Sequence, residues 1–360
     1  MSVHEILIWI MAVFAVLGAV DRIFGNRLGL GKEFEEGILA MGSLALAMIG
    51  IITLAPVLAK WLRPVVVPVY TLLGADPAMF AGTILACDMG GAALAQQLST
   101  DGQAALLGGV LTGSMLGATV VFTIPVAMGI LSPEDRPYLA KGILAGIVTI
   151  PFGILVGGLV AGFSLGMLLR NLIPVVLIAV LVALGLWKWE KGMIRGFGYF
   201  GKGIIALITV GLAATIVQSL TGVVLIPGMT PVQEGYLTVG AIAIVLAGAF
   251  PLVYVLMRLL RKPLLKLGKL LGINDTAAGG LVATLANSIA TFGRLKDMDD
   301  RGKVVNIAFS VSAAFVFGDH MGFTAGFAPQ MLPAMILGKL TGGITAILVA
   351  LLLTRKREKA

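Results

Sequence analysis

Residues Gly37–Ala59 read GILAMGSLALAMIGIITLAPVLA, with no charged side chain anywhere in the run. A helix needs roughly 20 apolar residues to cross the hydrocarbon core of a bilayer, and this run exceeds that. Gly142–Leu169 is a second stretch of the same kind, also without a charge. One such segment fits the core of a large soluble protein; several in one chain do not. The whole chain of 360 residues agrees, being 58% hydrophobic and only 12% charged, where a soluble domain carries about 25% charged residues. The fold class is an all-α polytopic membrane protein.

Working outward from those two runs, hydropathy places spans at about 5–21, 37–60, 76–98, 103–131, 139–166, 171–188, 202–221, 235–259, 276–293, 303–329 and 333–354. Between about 9 and 11 of these are expected to cross. No stretch between them is long enough to fold separately, so residues 1–360 form a single transmembrane domain. The apolar stretch Ile6–Val20 lacks a basic leader and reads as a first anchor helix, not a cleaved signal. Trp61, Trp187 and Trp189 fall at segment ends, the depth that amphipathic rings favour. The 48 glycines suit membrane helices, where small residues permit close approach. Gly109, Gly113 and Gly117 recur every fourth residue, as do Ala314, Gly318, Gly322 and Gly326, and read as packing ridges.

The net charge of +8 is no nucleic-acid footprint. The basic residues cluster at 187–202, 258–269, 294–303 and the tail Arg355–Lys359, where the positive-inside rule wants cytoplasmic loops. A full crossing at 276–293 would put the second and third clusters on opposite sides. The conflict disappears if 270–293 is re-entrant, as broken segments facing a protein-lined cavity can be; Gly279, Gly280, Asn287 and Ser288 interrupt it. The single Cys87 excludes a disulfide framework and a Cys-based metal cluster.

The chain also reads as two related halves, about 1–166 and 168–354, with an extra span near 235–259 in the second. Phe34–Ala40 resembles Phe200–Ala206, and Leu73-Gly74-Ala75-Asp76 resembles Leu271-Gly272-Ile273-Asn274-Asp275. Asp88 then falls opposite Asn287. Internal repeats with broken helices are a recurrent transporter device, with the solute site between them near the midplane.

Ionisable side chains at membrane depth are costly and are functional candidates by default. Asp88 stands in Ile84-Leu85-Ala86-Cys87-Asp88-Met89-Gly90-Gly91, and Asp319 with His320 in Phe317-Gly318-Asp319-His320-Met321-Gly322-Phe323. Asn287, Ser288 and Asn306 add neutral hydrogen-bonding groups, with Ser310 and Ser312 nearby. On a continuous helix Ser312 and Asp319 share a face, as do Asn306 and Ser310. Each has a plainer reading: Asp88 as a cap on the broken helix, Asp319 as a partner of His320 or an Arg, Asn287 and Ser288 as satisfiers of broken backbone. An unperturbed imidazole titrates nearer neutrality than the other side chains, so His320 reads as the natural proton-sensitive element. The cluster Asp297, Asp299 and Asp300 could bind Mg²⁺ as in a membrane-embedded enzyme, but Arg294, Lys296, Arg301 and Lys303 surround it and a solvated loop explains it better. No phosphate loop, zinc-protease motif or nucleophile elbow occurs, so neither catalysis nor a cofactor is expected.

The two motifs around Asp88 and Asp319, with the length and span pattern, resemble those of the EutH family, the ethanolamine-utilisation membrane proteins of bacteria. The resemblance covers essentially the whole chain. It implies a multi-pass permease of the bacterial cytoplasmic membrane that facilitates ethanolamine diffusion, chiefly at low external pH, beside a cytosolic pathway that consumes it. The chemistry is compatible: the neutral, lipid-permeable fraction of an amine falls roughly tenfold per pH unit below its pKa. A carboxylate such as Asp88 or Asp319 would serve the ammonium, helped by Phe292, Phe317 or Phe323, and Asn287, Ser288 or Asn306 the hydroxyl. A solute so small gains at most about 1.5 kcal/mol per heavy atom, which suits release. Alternatives left open are an H⁺- or Na⁺-coupled transporter of a small amine, a Mg²⁺-dependent membrane enzyme, and a non-transporting anchor or sensor. Expected partners are the solute, the lipid bilayer and, in a homo-oligomer, a second copy; nucleic acid is not one.

Overall fold

The computed structural model describes residues 1–355, so the basic tail expected beyond Arg355 lies outside the described residues. The first long helices are α1 (Val3–Ile23), capped by the Ser2 hydroxyl in a capping box with Glu5, and α2 (Leu30–Leu72). Seven helices among the described residues are long and apolar enough to cross a membrane. Besides these two they are α5 (Gly102–Ile130), the pair α6 (Arg136–Ile147) and α7 (Ile150–Val160) acting as one span, α8 (Leu165–Thr221), α9 (Val232–Leu271) and α14 (Leu332–Leu353).

Helix α8 is two arms. Trp189 has φ −141° and ψ 47°, and the chain doubles back there, bringing Met193 against Gly185. The expected spans at 171–188 and 202–221 are these arms, but the expected loop 187–202 is helical apart from that one turn. The basic stretch 258–269 is likewise no loop; it continues α9, with Arg258, Arg261 and Lys262 exposed on it. Trp61, Trp187 and Trp189 are exposed, as their expected place at the headgroups requires.

The segment expected to dip and return does so. Helix α10 (Asp275–Ala286) breaks at Asn287, and α11 (Ser288–Gly293) runs back beside it. Thr291 Oγ1 joins Thr284 Oγ1 at 2.8 Å and donates to Gly280 O at 2.9 Å. At the base Asn274 N donates to Asp299 Oδ1 (2.8 Å) and Asn274 Nδ2 to the Asp297 carbonyl (3.0 Å), so entry and exit meet. The acidic cluster is thus this closure plus a cap, since Asp299 also accepts from Gly302 N at the start of α12 (Asp300–Ala313).

Residues 76–98, expected to cross, also return. Helices α3 (Ala78–Ile84) and α4 (Gly91–Leu98) flank a turn at Leu85–Gly90, and Ser99 Oγ donates to Asp76 Oδ2 at 2.8 Å across the base. Asp76 N donates to Asn171 Oδ1 at 2.7 Å, tying that base to the start of α8. The glycine ridge of α5 receives this hairpin: a Cβ on Gly117 would strike the Leu85 carbonyl, and one on Gly109 the Ala92 backbone. The second ridge meets α9, Gly322 facing Leu246 and Gly326 facing Ile242.

Helix α12 does not continue to the end of its span. Ala314–Gly318 is non-helical, with Phe315 at φ 63°, and α13 (Asp319–Phe327) resumes beyond it. Ser312 and Asp319 therefore do not share a helix face. The exposed backbone of the break is satisfied by the second hairpin: Phe315 N and Phe317 N donate to the Thr284 and Leu285 carbonyls. A break at membrane depth is tolerated on this condition.

Candidate functional site

Three cavities approach the two interrupted segments. The largest, about 750 Å³, runs from Arg195, Tyr199 and Lys202 down past Phe122 and Phe315 to Asp88, Asp319 and His320. A second of about 710 Å³ opens between Glu33, Tyr254, Arg258 and Arg261 and ends at Asn287, Phe317 and Asp319. A third, about 130 Å³, enters among Gln96, Gln97, Thr230 and Glu234 and ends at Cys87, Gly90, Phe323 and Phe327. The first two open at the ends of helices that carry the basic residues. The third opens at the other end, beside the base of the first hairpin. Asp319 borders both large cavities, and the Cys87–Asp88 peptide divides the largest from the smallest.

Asp88 sits on the tip of the first hairpin, in a short 3₁₀ turn, Cys87–Met89, closed by Gly90 at φ 91°. It does not cap the broken helix. The Gly91 and Met89 N–H groups donate instead to the Ala86 carbonyl at 2.9 and 3.0 Å, which leaves the carboxylate free to face the cavity. His320 Nε2 lies 3.8 Å from Asp88 Oδ1, too far for a hydrogen bond, and Nδ1 has no partner. The imidazole leans on Phe315, centroid to centroid 5.4 Å, and Phe315 takes Phe122 edge-on at 5.4 Å. Asp319 opens α13, where helix N–H groups favour negative charge.

Sequence reading missed one ionisable group here. Lys339, in α14, is 1% exposed and donates to the Ser114 carbonyl. Its ammonium lies within electrostatic reach of Cys87, Asp88 and His320. The test that found the carboxylates, a charge inside an apolar run, finds Lys339 once cations are searched too. Phe122 and Phe315 were also missed; they carry no signal in a chain with 16 phenylalanines.

The other expected residues divide. Asn287 lines the second cavity, though its carbonyl oxygen is committed to Ile289 N at 2.8 Å as the cap of α11. Ser288 is fully buried, its hydroxyl unpartnered, and lines none of the three cavities. Asn306 lines none either. Its amide donates to the Ala277 and Gly302 carbonyls at 2.9 Å each and ties α12 to the second hairpin. Of the expected aromatics, Phe317 and Phe323 line cavities, while Phe292 is packed in the core.

Paired re-entrant hairpins, a broken helix and cavities reaching their tips from both ends define a multi-pass membrane protein with a polar centre. The chain belongs to the EutH family: residues 3–353 match the model of the ethanolamine utilisation protein EutH. It is 62% identical to the probable ethanolamine permease EutH of Listeria monocytogenes over 91% of this chain and 88% of that one. It is 50% identical to the protein of the same name in Salmonella typhimurium, over 90% and 89%. The YxeR protein of Bacillus subtilis is 52% identical over 91% and 88%. No solved structure matches the chain.

Proposed function

We propose that this protein is an ethanolamine permease of the bacterial cytoplasmic membrane, carrying the protonated amine down its gradient when the outside is acidic. The names of its relatives supply the solute. The observation that carries the mechanism is Asp88, a carboxylate that caps no helix and stands 3.8 Å from His320 Nε2, at the point where cavities from opposite ends converge. An ammonium entering a low-dielectric centre must recover lost hydration, and Asp88 with Asp319 and the Phe122–Phe315 faces offers charge and cation–π contact.

The arrangement supports a carrier in preference to a channel. The cavities at the basic end are wide and the opposite one is narrow, with the hairpin tip standing between them. With the basic end cytoplasmic by the positive-inside rule, this is an inward-facing state. The order long helix, hairpin, span, span occurs twice: α2 to α7, then α9 to α14. The hairpins open at opposite ends, as in inverted repeats that rock about a central site. This register matches α2 to α9 and makes the first arm of α8 the extra element, unlike the match of Phe34–Ala40 with Phe200–Ala206.

The test is uptake of labelled ethanolamine into liposomes holding the purified chain, at acid external pH. Saturable equilibration is expected, lost in both Asp88→Asn and Asp319→Asn. If both variants transport like the parent, the site assignment fails. Accumulation above equilibrium that an ionophore abolishes would replace facilitated diffusion by ion coupling.

A further inference from the structure

The tip of the first hairpin holds a second chemistry. The Cys87 sulfur, an Asp88 carboxylate oxygen and a His320 ring nitrogen all lie within 4.8 Å of one another. They come from two elements, the hairpin turn and the start of α13. Cys87 is 1% exposed and His320 3%, while Asp88 keeps 17% of its side chain open to the cavity. His320 has neither nitrogen hydrogen-bonded, since Nδ1 is unpartnered and Nε2 stands 3.8 Å from Asp88. A buried imidazole without a partner is costly, and here one nitrogen already points into the group.

We infer that Cys87, Asp88 and His320 form a binding site for a thiophilic divalent cation, Zn²⁺ in the first instance, whose occupation blocks the solute path. The donor set is a mixed one that Zn²⁺ accepts: thiolate at about 2.3 Å, imidazole and carboxylate at about 2.0–2.2 Å. Ligand atoms around a tetrahedral ion at those lengths stand roughly 3–4 Å apart. The His320–Asp88 separation already fits, and Cys87 closes the set by a small inward movement of the turn. Binding releases the Cys87 thiol proton to water. Thiolate and carboxylate then neutralise the dication, and the buried Lys339 side chain opposes it. Three protein ligands leave a fourth position for a cavity water. The expectation that a single cysteine excludes a Cys-based metal cluster concerns several thiolates and does not reach this mixed set. Because Asp88 is shared, ion and ammonium solute compete.

Metal binding does not depend on the permease reading; the block on passage does. The purified, tag-free full chain is titrated with Co²⁺ as an optical probe. A thiolate-to-cobalt charge-transfer band is expected, displaced by Zn²⁺ and absent in Cys87→Ser. Cys87 is the only cysteine, so the band has one source. In liposomes, Zn²⁺ should lower ethanolamine uptake, judged against each variant's own zinc-free rate. Loss of the sulfur ligand should raise the Zn²⁺ needed by about tenfold or more, the scale of even outer-shell losses. Should Cys87→Ser fail to fold, the parent chain answers: Zn²⁺ but not Mg²⁺ should slow modification of Cys87 by methyl methanethiosulfonate. No cobalt–thiolate band together with an unprotected thiol overturns the site. A band without inhibition overturns the block alone. Absence of any uptake by the parent chain would count against the permease reading, while the optical and thiol measurements still judge the metal.

Discussion

The two re-entrant hairpins are built alike and armed differently. Each follows a long helix ended by a left-handed glycine, Gly74 at φ 71° and Gly272 at φ 66°. Each closes its base by a side-chain hydrogen bond, Ser99 to Asp76 and Asn274 to the 297–299 turn. Each leads into a helix capped by an aspartate, Asp101 or Asp299. At the tips they part. The first carries Asp88, whose carboxylate caps nothing, while the second carries Asn287, whose oxygen caps α11. The second tip also lends its Thr284 and Leu285 carbonyls to the broken span. One hairpin presents a carboxylate to the cavity; the other commits its tip amide oxygen to backbone.

The largest effect is all-or-none and tests whether the hairpins enter from opposite ends. Thr100 and Lys296 are exposed at the two bases. In sealed, oriented vesicles Thr100→Cys and Lys296→Cys should react with an impermeant maleimide from opposite sides. Labelling of both from one side would end the inverted arrangement and the inward-facing assignment with it.

Next in size is the contrast between the tips. Asp88→Asn should lower ethanolamine uptake by about 30-fold or more, the cost of removing one partner from a desolvated charge pair. Asn287→Ala removes a neutral group already committed to a cap, so a loss of about threefold to tenfold is expected. Equal losses would make the hairpins functionally equivalent and remove the reason for assigning the cation to the first.

Why the sequence disclosed one hairpin and concealed the other follows from charge. For 270–293, flanking basic clusters made a crossing inconsistent, so re-entry could be read directly. For 76–98, Asp76 and Asp101 flank an apolar stretch and no such conflict arises, so it read as a crossing span broken near Asp88 and not as a returning hairpin. The carboxylates Asp88 and Asp319 were legible because an uncharged background isolates them. The break at Ala314–Gly318 was not, because Phe315 takes its positive φ from tertiary pairing with Thr284 and Leu285, which no local pattern encodes. For the same reason Asn306 looked like a solute ligand and is a tie between backbone segments.

The bases should differ more gently. Asp76 is half-buried and accepts from both Ser99 Oγ and Ala78 N at 2.8 Å, so Asp76→Ala leaves two donors short and should cost about 1–3 kcal/mol. Asn274 is exposed and its side chain caps Ala277 N, so Asn274→Ala should cost about 1 kcal/mol. Thermal unfolding in one detergent would rank them. A larger shift for Asn274→Ala would mean that the second base, not the first, is the stronger closure.

The smallest effect sits on the first arms, where Gly82 and Gly279 hold similar places and have opposite surroundings. A Cβ on Gly82 would run into the Gly108 carbonyl of α5, whereas one on Gly279 would meet nothing within 4 Å. Gly82→Ala overfills a contact between backbones and should destabilise by about 1–3 kcal/mol. Gly279→Ala fills open space and reduces the helix penalty of glycine, so it should stabilise by at most about 1 kcal/mol. Paired thermal midpoints give the sign directly. If Gly279→Ala also destabilises, something covers that face, and a second copy of the chain becomes the first candidate. Crosslinking at Gly279→Cys would then separate a homo-oligomer contact from a lipid-facing surface, because only the former yields a covalent dimer.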